Sequence, residues 1–230
     1  MYELAYQLSV SLFHLTPVTF LFVALVVWYS RNKQRYHIYW ILFSLLTAFA
    51  WTNAVLLTLY VKDPNIAKVL GRLAITFGCM GSFAYYSFVL SYLNLEESHK
   101  RSWRILLVYE VVLFLGFVFT NSFYAGVTKG AGGLFQPKPG PMMGLYLPFV
   151  MYAFGSGLWY SRKAYKQSSG QKKLQLRYFH YASWVVLFAA IGSLFPYSQA
   201  RSFFVWLPSA LTVLYPIVVS YIIIRVFGRI

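Results

Sequence analysis

Ionisable side chains are scarce here, and the few that interrupt long apolar runs are where any chemistry has to reside. Arg72, Glu110 and His14 stand inside such runs, with Asn53 as a neutral polar companion. Groups of this kind are costly in lipid, so each marks a ligand path, a proton relay or a structural pair. Arg72 lies roughly 9 Å, two helical turns, from one end of its apolar run, and Glu110 about as far from an end of the next. Two readings of Arg72 stay open. In one it snorkels to the headgroups. In the other Arg72, Asn53 and His14 converge on an outward-facing pocket for a polar or anionic ligand, with Trp51 and Trp206 as aromatic walls. Glu110 reads as a structural residue paired with an inner base such as Arg177.

Familiar reaction chemistry has no foothold. There is no phosphate-cradling G-x-x-x-x-G-K-[ST] loop, no H-E-x-x-H and no G-x-S-x-G elbow. His14, His37, His99 and His180 are scattered singly, with no His or carboxylate three or four residues further along the chain, so no metal site is expected. His14 and His180 are the one pair that could hold a haem between helices, against the plainer reading of satisfied interfacial polar groups. Cys79 is the only cysteine, which excludes an internal disulfide. The expectation is a non-enzyme without a cofactor.

The elements that must position these groups follow from composition. The 230 residues are 59% hydrophobic and 11% charged, with a mean hydropathy of +0.58. A soluble domain carries about a quarter charged residues. The net charge of +15 does not point to nucleic acid, because the bases punctuate apolar runs instead of clustering on a polar face. Runs near the 20 residues that cross a bilayer occur at Ala5–Tyr29, Tyr36–Val61, Ile66–Leu93, Ile105–Thr120, Gly144–Tyr160, Tyr178–Phe195 and Phe203–Val226. The predicted fold is therefore an all-α bundle of seven transmembrane helices in a single domain, residues 1–230. The first run has Glu3 at its start and its basic flank behind it, so it reads as a retained helix and not a signal peptide.

Orientation follows from the bases. Fourteen lie on one side, among them Arg31, Lys100, Arg162, Lys173, Arg177, Arg225 and Arg229. Six lie on the other: Lys62, Lys68, Arg72, Lys129, Lys138 and Arg201. The positive-inside bias puts the N-terminus outside and the C-terminus in the cytosol. Ser161–Arg177 reads as a basic cytosolic segment with Ser168, Ser169 and Gly170 as a flexible centre. Asn121–Met143 reads as a long external loop whose pattern is too weak to assign a hairpin. Tyr36, Tyr39, Trp40, Trp103, Tyr160, Tyr178 and Tyr181 read as an interfacial belt.

Within the runs, Gly71, Gly78, Gly81 and Ser82 give the third a close-packing face and a central place. Pro17, Pro148, Pro208 and Pro216 permit kinks, the last two as hinges in the seventh span. A retinal pigment is excluded, because Phe203–Val226 has no Lys for a Schiff base. The repeat expected of small seven-helix sugar carriers, with its Pro-Gln pair, is absent.

The third run carries a pattern: Val69-Leu-Gly-Arg-Leu-Ala-Ile-Thr-Phe-Gly78, then Ser82-Phe-Ala-Tyr-Tyr-Ser-Phe-Val-Leu-Ser-Tyr92. It resembles the seven-helix N-terminal sensor region of bacterial histidine kinases. Ala50-Trp51, the Gly140–Tyr146 entry to the fifth run, Gln175-Leu-Arg177 and the Ile222–Arg229 exit follow in matching order. The resemblance implies a signal-input module in the bacterial inner membrane, multi-pass, whose relatives continue into PAS, kinase or diguanylate cyclase modules. It implies as partners membrane lipids, an unidentified small ligand, a cytosolic signalling module either fused or separate, and a homodimer as an option. This sequence has no phospho-acceptor helix and no ATP-binding segment, so kinase activity is not expected of these residues. The alternative is a small-solute transporter or channel.

Overall fold

The computed structural model describes residues 15, 17–19, 21–25, 28, 35–59, 61–129 and 135–192. Of these, 81% are helical, which agrees with the helical class. The helices are α1 (Arg35–Leu59), α2 (Pro64–Tyr92), α3 (Lys100–Phe119), α4 (Tyr146–Gln167) and α5 (Gly170–Gly192). Between α3 and α4 come two antiparallel strands, β1 (Tyr124–Lys129) and β2 (Phe135–Pro139), and a 3-10 turn at Met143–Leu145. His14, Trp206, Pro208, Pro216 and the seventh expected span lie outside the described residues, as does the side chain of Trp51. Among the described residues, α2 and α3 are the two helices long and apolar enough to cross a membrane.

Local chemistry explains where α2 starts and stops. Asp63 caps it: its carboxylate accepts from the backbone N–H of Asn65 at 2.7 Å and of Ile66 at 3.3 Å, and Pro64 takes the first helical position, where no N–H is needed. At the far end Asn94 adopts φ +54°. From there Asn94 N–H donates to Ser91 O (3.1 Å) and Leu95 N–H to Leu90 O (2.8 Å), satisfying the last carbonyls in a left-handed cap.

The helices outrun the apolar segments. The sequence places the fourth span at Ile105 and the sixth at Tyr178, but α3 begins at Lys100 and α5 at Gly170. Ser161–Arg177 is correspondingly not a loop. It is helix on both sides of a two-residue turn at Ser168 and Ser169, with Gly170 at φ +58°. Lys, Arg and Gln are good helix formers, so hydropathy marks where the surface changes and not where the helix ends. Pro148 sits in the first turn of α4, where it removes no intrahelical bond and makes no kink.

The core is aromatic and runs between helices. Trp40 and Phe88 meet at 5.0 Å, Phe43 and Tyr85 at 5.6 Å, Tyr85 and Phe154 at 4.7 Å, and Phe88 and Phe179 at 5.7 Å. These contacts join α1, α2, α4 and α5 around α2. Trp40 is fully buried and Tyr36 nearly so, which corrects their assignment to an interfacial belt. Tyr178 and Tyr181 do face outward. The small residues of α2 serve several neighbours in place of one face: Gly78 looks toward the Tyr146 hydroxyl and Gly81 toward Thr47 of α1.

Outside this core α3 stands apart. Ile105, Val108, Val112, Leu115 and Phe119 recur at alternating steps of three and four and are 48–74% exposed. That spacing is one helical face. Its other face, with Leu106, Glu110, Leu113 and Phe117, is buried.

Candidate functional site

Hydroxyls within the apolar helices are mostly self-satisfied. Thr52 donates to Ala48 O, Ser82 to Gly78 O and Ser183 to Phe179 O, at 2.8–2.9 Å; this is the back-bonding open to Ser and Thr in a helix. Asn53 does likewise, its amide donating to Phe49 O at 2.8 Å. The polar groups that instead cross between helices concentrate on one seam.

That seam joins α2 to α3. Arg72, Cys79 and Tyr86 are seven residues apart on α2, so they fall on one face with only about 20° of drift per heptad. Their counterparts on α3 run the other way, at the 118–120 end, at Glu110 and at Ser102, giving three levels about 10 Å apart.

At the hairpin end, Arg72 caps α3. Its guanidinium donates to Val118 O at 3.2 Å, to Thr120 O at 3.1 Å and to Asn121 Oδ1 at 2.6 Å. These are the carbonyls a helix end leaves unpaired, and a cation there also faces the negative end of the helix dipole. The hairpin rests on the same spot. The Tyr124 ring lies over Gly71 and the Phe123 ring over Gly116, each in the space a Cβ would fill. Ala125 is the extra residue between the pairs Tyr124↔Pro139 and Gly126↔Lys138, and Gly126 follows this bulge at φ +151°. Tyr124 is fully buried, and burial pushes its phenol up to about 12 despite the opposing pull of Arg72.

At the other end the seam is neutral and satisfied. Ser102 donates to His99 O at 2.9 Å and accepts from the Tyr86 hydroxyl at 3.0 Å. Trp103 Nε1 donates to Ser87 Oγ at 2.9 Å.

The middle level is different. Glu110 is the eleventh residue of the 20 in α3, at mid-helix and not near an end as the apolar run implied. It is 6% exposed, and neither carboxyl oxygen has a hydrogen-bond partner among the described residues. The Cys79 thiol lies beside it without completing hydrogen-bond geometry. The Tyr146 hydroxyl reaches this level from α4, 3.6 Å from where a Cβ on Gly78 would stand, and Tyr109 is tied back by donating to Leu145 O at 2.7 Å. The expected Glu110–Arg177 pair is not formed: Arg177 lies over the Tyr181 ring, 6.0 Å from its centroid.

The structure thus places Arg72 and Asn53 with no hydrogen bond between them, while His14 and Trp206 are outside the described residues. Cys79, Tyr124, Asn121 and Tyr146 were missed as functional positions. The signal for one of them was present, since Arg72, Cys79 and Tyr86 repeat at the heptad interval. His180 uses both ring nitrogens. Trp184 Nε1 donates to its Nε2 at 3.2 Å, which leaves Nδ1 as the donor to Ser161 Oγ at 2.9 Å; those contacts would have to break for it to hold a haem. Among the described residues no group of three or more His, Cys, Asp or Glu is placed to hold a metal ion. No protein-family model, curated protein or solved structure matches the chain.

Proposed function

We propose that this chain is a membrane-embedded signal-input module. In this reading it has seven spans with the N-terminus outside and the C-terminus in the cytosol, and it resembles the sensor region of bacterial histidine kinases. The exposed apolar face of α3 supports the membrane setting, because an apolar stripe of that length suits lipid better than water. The single observation that carries the signalling reading is the clamp at the hairpin end. Tyr124 seated on Gly71 and Arg72 on the end of α3 couple the outer segment to α2, which packs against α1, α3 and α4. A cue that lifts or reseats the hairpin therefore acts on the central helix directly, and the seam carries the shift toward the cytosolic end. Output leaves through the seventh span to a fused or separate partner.

The test fuses a reporter kinase or cyclase after Ile230, with one to four alanines inserted at the junction. Activity should vary with insertion length at roughly the 3.6-residue helical period, and Gly71→Ala should change its level. A reporter indifferent to all insertions and to Gly71→Ala removes the signalling reading.

One observation favours the transporter alternative. An intrahelical carboxyl with no cation beside it is the usual mark of a proton or cation path, and Glu110 is such a group. Solute flux into liposomes that is abolished by Glu110→Gln would favour that class over a sensor.

A further inference from the structure

The turn between α4 and α5 carries a group of cations with no acids. The sequence from Ser161 to Arg177 holds six Lys and Arg and no Asp or Glu, and among the described residues none of the six has an ion-pair partner. Two of the six share a groove. An open depression of about 200 Å³ is lined by Tyr165, Gly170, Lys173, Leu174 and Arg177. Lys173 and Arg177 are one helical turn apart on α5, so their like charges repel when nothing lies between them. Each is held by an aromatic face: Lys173 Nζ is 5.5 Å from the Tyr165 ring centroid and Arg177 Cζ 6.0 Å from that of Tyr181. That contact restrains a long, exposed side chain.

The third contributor is the backbone. Gly170 begins α5, and no atom lies within 4 Å of where its Cβ would be. The first-turn N–H groups of a helix have no intrahelical acceptor and sit at its positive end. Two cations, a helix start and an open concavity together specify a compact anion with several oxygens. What lies beyond the groove specifies the source of that anion. Leu174, Tyr178, Tyr181 and Trp184 are 41–58% exposed and run along α5 away from the turn, an apolar and aromatic track on which an acyl chain can lie.

We infer that the α4–α5 turn is a binding site for the phosphate of an anionic phospholipid, with Lys173, Arg177 and the start of α5 holding the headgroup. The inference rests on the membrane setting proposed above but not on the sensor role. Arg162 and Lys163, in the same segment but outside the groove lining, are the internal control, because they contribute equally to topology and to general basicity.

The experiment is native mass spectrometry of the full chain in detergent with added short-chain phosphatidylglycerol or phosphatidylcholine, alongside titration with inorganic phosphate. The expected result is retention of phosphatidylglycerol over phosphatidylcholine and a loss of roughly tenfold or more in its affinity in the Lys173→Gln, Arg177→Gln double variant. The charge-keeping exchange of Lys173→Arg with Arg177→Lys should hold most of that affinity, and Arg162→Gln with Lys163→Gln should leave it unchanged. An equal loss in both Gln doubles would reduce the effect to general basicity and overturn the site. So would the absence of headgroup preference, or full displacement of lipid by millimolar inorganic phosphate, which would make it a soluble-anion site. A wild-type chain that inserts into vesicles but shows no preference overturns the site alone, whereas one that cannot be inserted overturns the membrane reading as well.

Discussion

Arg72 and Glu110 occupy the same seam, one level apart, and their surroundings are opposite. Arg72 meets three oxygen acceptors gathered at the end of α3. Glu110 meets none among the described residues, although it is the more deeply placed of the two. A charge whose desolvation is offset by ready-made acceptors is a structural part, and its removal leaves those acceptors bare. A carboxyl held without a partner is not explained by stability, since an ionised group there would cost several kcal/mol. The comparison makes Arg72 a packing element at the hairpin end of the seam and leaves Glu110 as the buried group that stability does not account for.

The sharpest way to break that contrast is Arg72→Ala. It strands the carbonyls of Val118 and Thr120 and the Asn121 side chain, and the expected loss is about 3 kcal/mol, given 1.5–3 kcal/mol for a hydrogen bond to a charged group. Arg72→Lys, which cannot span three acceptors with one ammonium, should recover only part. Chemical denaturation in detergent reads both, and an unchanged midpoint in Arg72→Ala would move Arg72 out of the structural class and back toward a ligand role.

Gly71→Ala should follow in size, at about 1–3 kcal/mol, because a Cβ there collides with the Tyr124 ring and overpacking costs that much. The loss should be local, with limited proteolysis between β1 and β2 accelerated. Pairing it with a smaller residue at position 124 should recover part of the protection. No gain in cleavage would mean that the hairpin does not depend on this seat.

Glu110→Gln sharpens the comparison from the other side. With no ion pair to break, its midpoint should shift by less than about 1 kcal/mol, unlike the loss expected had it been paired with Arg177. Reporter output or solute flux should change nonetheless. A large destabilisation with unaltered activity would return Glu110 to the structural class.

The smallest effect is alkaline. Tyr124 has its phenol raised to about 12 in the folded chain against about 10 unfolded. The folded state therefore holds that proton more tightly. The resulting stabilisation is complete below pH 10 and is lost as pH rises toward 12. Tyr124→Phe should flatten this part of the stability profile between about pH 10 and 12, and parallel slopes in the two proteins would show that Tyr124 leaves its seat before it titrates.

Much of the fold was legible in the residues. Among the described residues, five of the expected spans overlap helices α1 to α5, because apolar length and the Asp63-Pro64 start are local signals. The helix ends at Lys100, Gln167 and Gly170 were not, since polar helix formers carry no hydropathy mark. The hairpin stayed unassigned because Gly and Pro obscure alternation, and it forms with its Tyr124 and Phe123 rings seated on α2 and α3. Of the candidate site, Arg72 and Glu110 were found through their cost in an apolar run, while their partners were not.

The division has one physical cause. Composition, charge asymmetry and apolar run length are sums over the chain, so the sequence by itself determined a helical protein with membrane-length segments and isolated polar groups. Whether an isolated polar group is satisfied depends on what a neighbouring helix brings to its height. Only the antiparallel packing of α2 on α3 decided that Arg72 meets the open carbonyls of α3 and that Glu110 meets a thiol but no hydrogen-bond partner among the described residues.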